Sequence, residues 1–366
     1  MNWRNMNEIY QPYMGKAVSL DEWVREIISW HFNSETGSTF WLKRKELLNF
    51  DPMTDIRGYD DLEKFGFFNE DDLKKTPINE FIPNGYSNKN NQLCRVFETG
   101  GTLGLPKRII DCEYRNELAS WLSYSLDMHD FPKGGNWLHL GPSGPHVIGH
   151  TTSKLAHIRG GLCHYIDIDT RWIKLCLKKG YTQILEEYLD HALSQAVAIL
   201  NTQDISFIFT TPQLLQRFCE KISPKEKCSL KGIVCGGTHV TPEFHRLLRK
   251  EIMPGIPLCI VYGNTIMGVA PQEPFNEGNG WDVKYYGLFP YFTIRVVDPD
   301  ASWKEMGYGE TGRVMITVLT RDYFIPNLLE RDEGIRISGN DFYAWDGVAN
   351  VKPYKKLEEE IIEGVY

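Results

Sequence analysis

The sequence has no apolar run long enough to span a bilayer, so no membrane segment is expected. Its opening residues mix Asn, Arg, Glu and Asp without an apolar stretch, which excludes a secretory signal there. Clustered Lys and Arg are also missing. With a formal net charge of -8 and no basic stripe, nothing is available to grip nucleic-acid phosphates. The eight cysteines are scattered singly and no Cys-x-x-Cys occurs, which argues against a zinc knuckle or a dithiol redox motif. Reduced, mostly buried thiols in a cytoplasmic protein are expected. There is no low-complexity block and no internal repeat, and 366 residues are too many for one small core.

What is present is an alternation of helical and strand-like segments. Helical periodicity surrounds Trp23, Ile27 and Ile28, and an Asn-rich loop covers 84–92. Short apolar runs at 93–97, 137–140, 205–209, 233–235 and 258–262 read as strands, with amphipathic helices at 113–130 and 183–200 between them. Thr211-Pro212 and Thr241-Pro242 each supply an N-cap and a first-turn proline. Beyond Tyr291 the pattern changes to strands and turns, at 292–297 and 313–318. That order predicts an α/β core with a more β-rich piece appended.

The strongest chemical signal is Thr99-Gly100-Gly101-Thr102-Leu103-Gly104-Leu105-Pro106-Lys107. Its glycines free the backbone to turn N–H groups toward an anion, its threonines add hydroxyl donors, and Lys107 adds charge. The plainer reading is a surface turn with an exposed lysine. A Walker A loop is excluded, because that motif needs Gly-Lys-Ser/Thr opening a helix and here Pro106 precedes the lysine. Four further segments follow: Pro142-Ser143-Gly144-Pro145-His146-Val147-Ile148-Gly149, Cys235-Gly236-Gly237-Thr238, Tyr262-Gly263-Asn264-Thr265-Ile266, and Gly309-Glu310-Thr311-Gly312-Arg313-Val314.

These five segments, in this order, resemble the motifs of the adenylate-forming superfamily of acyl- and aryl-CoA synthetases, peptide-synthetase adenylation domains and luciferases. The phenylacetate–CoA ligase branch is the most similar. The resemblance implies an α/β fold: the large N-terminal domain of an adenylate-forming enzyme, with two helix-flanked β-sheet subdomains and a smaller distorted β-barrel. Residues 1–335 would form this AMP-binding domain and 336–366 a vestigial hinge and tail in place of the lid domain. Thr99, Gly100, Gly101, Thr102, Gly104 and Lys107 would cradle the β- and γ-phosphates of ATP. Gly236, Gly237, Thr238, Tyr262 and Gly263 would wall the adenine, and Asp332 would hold the ribose. Thr265 would touch the α-phosphate and, with Lys107, serve catalysis. His146, Gly268, Val269 and Ala270 would line the pocket of an aromatic acid, a phenazine carboxylate for example.

Departures from the family pattern matter as much. Ile266 stands where the family has its magnesium-binding Glu, and it offers no oxygen to a hard cation; no protein metal ligand is therefore assigned, although Mg²⁺ is expected with ATP. Leu103 replaces a Thr. The ribose motif is replaced by Glu330-Arg331-Asp332-Glu333-Gly334, with Glu333 the alternative to Asp332. Residues 347–353 faintly echo the hinge, and no lysine matches that of the lid. Six histidines (His129, His139, His146, His150, His157, His164) crowd one stretch, and a zinc site there lacks a supporting carboxylate or Cys motif. The expected activity is ATP-dependent formation of an acyl-adenylate, weak in the isolated chain and aided by a partner protein. The rivals are a non-catalytic binder of aromatic acid or nucleotide, and an acyl-protein synthetase using its own cysteines.

Overall fold

The computed structural model describes residues 3–87, 94–101, 104–301 and 303–354, so Thr102 and Leu103 lie outside the described residues. Two short hairpins pair β1 (Ile9–Gln11) with β2 (Lys16–Val18) and β3 (Arg95–Glu98) with β4 (Arg108–Asp111). A six-stranded sheet contains β5 (Asn136–Gly141), β6 (Cys163–Asp167), β7 (Ile205–Thr210), β8 (Gly232–Gly236), β9 (Leu258–Asn264) and β10 (Gly268–Pro271). A five-stranded antiparallel sheet contains β11 (Lys284–Tyr285), β12 (Phe292–Val297), β13 (Thr311–Leu319), β14 (Phe324–Ile337) and β15 (Gly347–Pro353).

The six-stranded sheet runs β10-β9-β8-β7-β5-β6, and all neighbours except β9 and β10 are parallel. Parallel strands covered on both faces need continuous apolar sequence, and β7 is buried at every position. The crossover helices start where the sequence places them: the Thr211 hydroxyl accepts from the Leu214 N–H and the Thr241 hydroxyl from the Phe244 N–H. From β5 the chain crosses to β6 on one side, then returns past β5 to β7 on the other. This reversal opens a crevice at the carboxyl ends of β5 and β7, where ligands of open α/β sheets bind.

The N-terminal helices cover the other sheet. In Leu20–Phe32 the residues Leu20, Val24, Ile27, Ile28 and Phe32 fall on one buried face, and Ser19 caps the first turn. Trp23 and Trp41 anchor that layer by donating their indole N–H groups to Leu319 O and Phe324 O at 3.0 and 3.2 Å. Strands β12 and β15 stand three places apart yet come into contact, whereas a flat sheet would hold them roughly 14 Å apart. The sheet is therefore curled toward a barrel.

Two sequence expectations change here. The hinge-like segment 347–353 is β15, an interior strand between β11 and β14, and a boundary at 335 cuts through β14. Strand β15 returns along β14, the strand just before it, and on its other side pairs with β11, distant in sequence. Cys94 and Cys112, expected as free thiols, form a disulfide at the open end of the β3–β4 hairpin. Cys163, Cys176, Cys219, Cys228, Cys235 and Cys259 are free. No helix among the described residues is long and apolar enough to cross a membrane.

Candidate functional site

The glycine-rich loop is the connection of the β3–β4 hairpin. Thr99 closes it twice: its backbone N–H donates to Lys107 O at 3.0 Å, and its hydroxyl accepts the Lys107 N–H at 3.0 Å. Gly101 and Gly104 have φ of 62° and 118°, conformations that side chains with a Cβ rarely adopt. The loop is held against helix Thr170–Lys179, where Arg171 donates to Glu98 Oε2 at 2.5 Å. A Cβ on Gly100 would stand 2.9 Å from Lys174 Nζ, so glycine lets that ammonium come against the loop.

Two cavities flank the loop. The smaller, of about 160 Å³, is lined by Thr99, Gly100, Gly101 and Lys107 of the loop and by Lys74, Asn264, Ile266, Glu330 and Arg331 from elsewhere. The larger, of about 190 Å³, lies at the carboxyl ends of β5, β7, β8 and β9. Its wall is apolar at Leu118, Leu140, Val147, Phe209, Val261 and Val269, and polar at Arg115, Thr170, Lys174 and Thr210. Gly100 and Asn264 border both cavities.

Of the residues singled out in the sequence, Thr99, Gly100, Gly101 and Lys107 meet in the small cavity, and Gly100, His146, Gly236, Gly237, Gly263, Thr265, Gly268 and Val269 in the large one. Gly104, Thr238, Tyr262, Ala270 and Asp332 line neither. Ala270 pairs across the sheet with Tyr262 and is fully buried. The Tyr262 hydroxyl donates to Asp332 Oδ2 at 2.8 Å, and Thr238 bonds Gln213 at 2.6 Å. Glu333 turns away to Lys352, at 3.4 Å.

The turn after β9 is built by Asn264. Its Oδ1 accepts the N–H groups of Ile266 and Met267, both at 2.9 Å, and its Nδ2 donates to Glu330 Oε1 at 2.8 Å. Burial raises the pKa of the Glu330 carboxyl, with Lys107 opposing. Ile266 is 1% exposed and brings only carbon, whereas Glu330 brings a carboxylate to the same cavity. No three metal-type side chains converge among the described residues. A magnesium ion carried by a triphosphate needs only one or two protein oxygens, and Glu330 fits that requirement.

Sequence reasoning missed Glu70, whose carboxylate meets Lys107 at 3.2 Å, Arg331 at 3.1 Å and Lys74 at 3.9 Å. Burial alone would raise its pKa, but the three cations outweigh it and hold the carboxyl below its ordinary value. Glu330 lies two residues before Asp332, in a stretch where β14 bulges against β13, so strand alternation does not reveal that it faces the cavity. Asp322 was missed too. Lying between β13 and β14, it accepts the N–H groups of Cys112, Glu113 and Tyr114 at 2.8, 3.0 and 2.9 Å. It thereby fixes the hairpin's end and the start of helix Tyr114–Met128, which forms part of the large cavity's wall.

No family model matches the sequence, and no curated protein matches it. Solved structures do. A 2-hydroxyisobutyryl-CoA ligase in the postadenylation state, in complex with R3-HIB-AMP, is similar with a TM-score of 0.65 at 12% identity, over 90% of this chain and 66% of that one. The same ligase in the thioesterification state, with 2-HIB-AMP and CoA, gives 0.65 at 12% identity over 91% and 67%. Its open conformation gives 0.63 at 13% identity over 89% and 72%. The chain thus spans about two thirds of the ligase's length. At this identity the likeness concerns the fold, which is that of the large domain of an adenylate-forming ligase.

Proposed function

We propose that this chain binds ATP through the glycine-rich loop and an aromatic carboxylic acid in the large cavity, and joins them as an acyl-adenylate with release of pyrophosphate. One observation carries this reading: the cation-lined cavity and the largely apolar cavity share Gly100 and Asn264. A carboxylate seated in one is thereby brought to a phosphate seated in the other.

A carboxylate is a poor electrophile, and adenylation gives it a good leaving group. Its oxygen attacks the α-phosphate in line, and the bond to the β-phosphate oxygen breaks. The protein's work is positioning and charge stabilisation. Backbone N–H groups of the loop, the Thr99 hydroxyl, Lys107 and Lys74 face the β- and γ-phosphates. Thr265 stands at the α-phosphate. Gly236 and Gly237 border the base from the large cavity; Thr238, Tyr262 and Asp332 line neither cavity, and they meet the base and ribose once the Tyr262–Asp332 hydrogen bond gives way to the nucleotide. His146, Gly268 and Val269 border the ring of the acid. A magnesium ion bound with the triphosphate supplies charge neutralisation, and Glu330 is the carboxylate that would hold it. A fused-ring acid such as a phenazine carboxylate suits the apolar wall, and a separate protein supplies the lid or takes the activated acyl group onward.

Acid-dependent exchange of labelled pyrophosphate into ATP tests this reading. Exchange with aromatic acids, slow for the chain alone and faster with a lid-bearing partner, is expected. One observation favours a second reading, binding without turnover: Lys107 is already engaged by Glu70. Tight acid and nucleotide binding with no exchange under any condition would establish that reading instead.

A further inference from the structure

We propose that Arg115 grips the carboxylate of the acid in the large cavity, so that the site selects a carboxylic acid over its neutral isostere before ATP is bound. This rests on the reading of that cavity as the acid site. Arg115 lies in the first turn of helix Tyr114–Met128, lines the cavity and is 0% exposed. Its Nη2 donates to Thr265 O at 2.5 Å and to the Tyr323 hydroxyl at 3.1 Å. Its Nε and Nη1 are buried and have no partner.

Idle donors on a buried guanidinium are costly, and buried charges are ordinarily paired. Asp111 lies close by and is 4% exposed; it accepts the Arg115 backbone N–H at 3.0 Å and counters the guanidinium's charge, but it leaves Nε and Nη1 without a hydrogen bond. What the two idle donors lack is an acceptor, and the cavity that Arg115 lines is where one can enter. Gly268 packs close on the guanidinium: a Cβ there would stand 2.8 Å from Nη1 and 2.6 Å from Leu118 Cδ2, so any larger residue would crowd that donor. The hydroxyls of Thr170 and Thr210, in the same wall and each 3% exposed, are also without partners. A planar carboxylate matches the parallel donors of a guanidinium, and the apolar wall takes the ring behind it. By holding Thr265 O, the same guanidinium ties the carboxylate to the turn at which the two cavities meet.

The test is calorimetric titration without ATP, using benzoate, 1-naphthoate and phenazine-1-carboxylate beside their primary amides. The intact protein is expected to bind at least one acid about tenfold or more tighter than its amide, the range set by charge-assisted hydrogen bonds. Arg115→Gln should abolish that preference, read as the ratio of acid to amide affinity within one preparation. Arg115→Lys, which keeps the charge, should retain part of it and separates lost charge from lost packing. Equal binding of acid and amide by the intact protein overturns the proposal even if neither variant folds. So does an unchanged preference in Arg115→Gln, and in both cases pyrophosphate exchange would leave the proposed function standing. Binding of no acid in the panel overturns both.

Discussion

At the scale of single residues, the small cavity is governed by a contest over cations. Glu70 occupies Lys107 and also draws in Arg331 and Lys74. On the proposed function, a triphosphate entering the loop competes with that carboxylate for the same charges. Glu70→Gln removes the competitor while nearly keeping its shape, so the dissociation constant for ATP is expected to fall about tenfold, as befits one charge-assisted contact. Titration of ATP by calorimetry checks this, and weaker binding would mean that Glu70 orders the lysine for its ligand. Two histidines make a separate prediction. Burial lowers His31 and His139 from 6.5 to about 4, and each ring donates from Nε2 to a backbone carbonyl, Thr320 O and Pro142 O respectively. Both are neutral when folded and take up a proton on unfolding in acid. Their contribution is therefore fully present above pH 6.5 and is lost as pH falls from 6.5 toward 4. The loss is on the order of 3 kcal/mol for each. Thermal midpoints measured across that window should fall steeply, and replacing His139 by Gln should flatten the slope.

At the scale of elements, the site depends on how the β3–β4 hairpin is clamped to both sheets. The disulfide between Cys94 and Cys112 closes its base, Arg171 holds its tip side, and Asp322 caps the helix that follows. Asp322 is 1% exposed and serves three backbone N–H groups, so Asp322→Ala leaves buried donors unpaired. A loss of about 3 kcal/mol in unfolding free energy is expected, with weaker ATP binding because loop and helix lose their common anchor. Denaturant melts and ATP titrations on one preparation measure both, and an unchanged ATP affinity would free the loop from dependence on this clamp. The sequence was a good guide to what is local: the glycine loop, the Thr-Pro helix starts and the apolar runs of β5, β7, β8 and β9. Glu70, Arg115 and Asp322 escaped it because each acts through partners distant in the chain. Glu70 lies in an N-terminal segment whose pattern is that of an ordinary charged surface, and only the packed layers bring it to Lys107. Arg115 sits on an amphipathic helix where a single Arg reads as solvated; its burial follows from Asp322 pulling the helix start against the second sheet.

At the scale of the whole molecule, the five motif segments are spread over more than half of the chain and are gathered by sheet topology. The crossing from β6 back past β5 to β7 opens the crevice, and the neighbouring curled sheet contributes Glu330 to its edge. The central claim is that two cavities form one continuous site for a nucleotide and an acid. A stable mimic of the joined product, an aryl-acyl sulfamoyl adenosine, tests it most directly, because linking two ligands that fit one site makes the second contact intramolecular. Calorimetry should give one molecule per chain, bound at least about a hundredfold tighter than AMP or the free acid. Affinity no better than that of AMP would show that the two cavities do not act as one site, and would contradict the account.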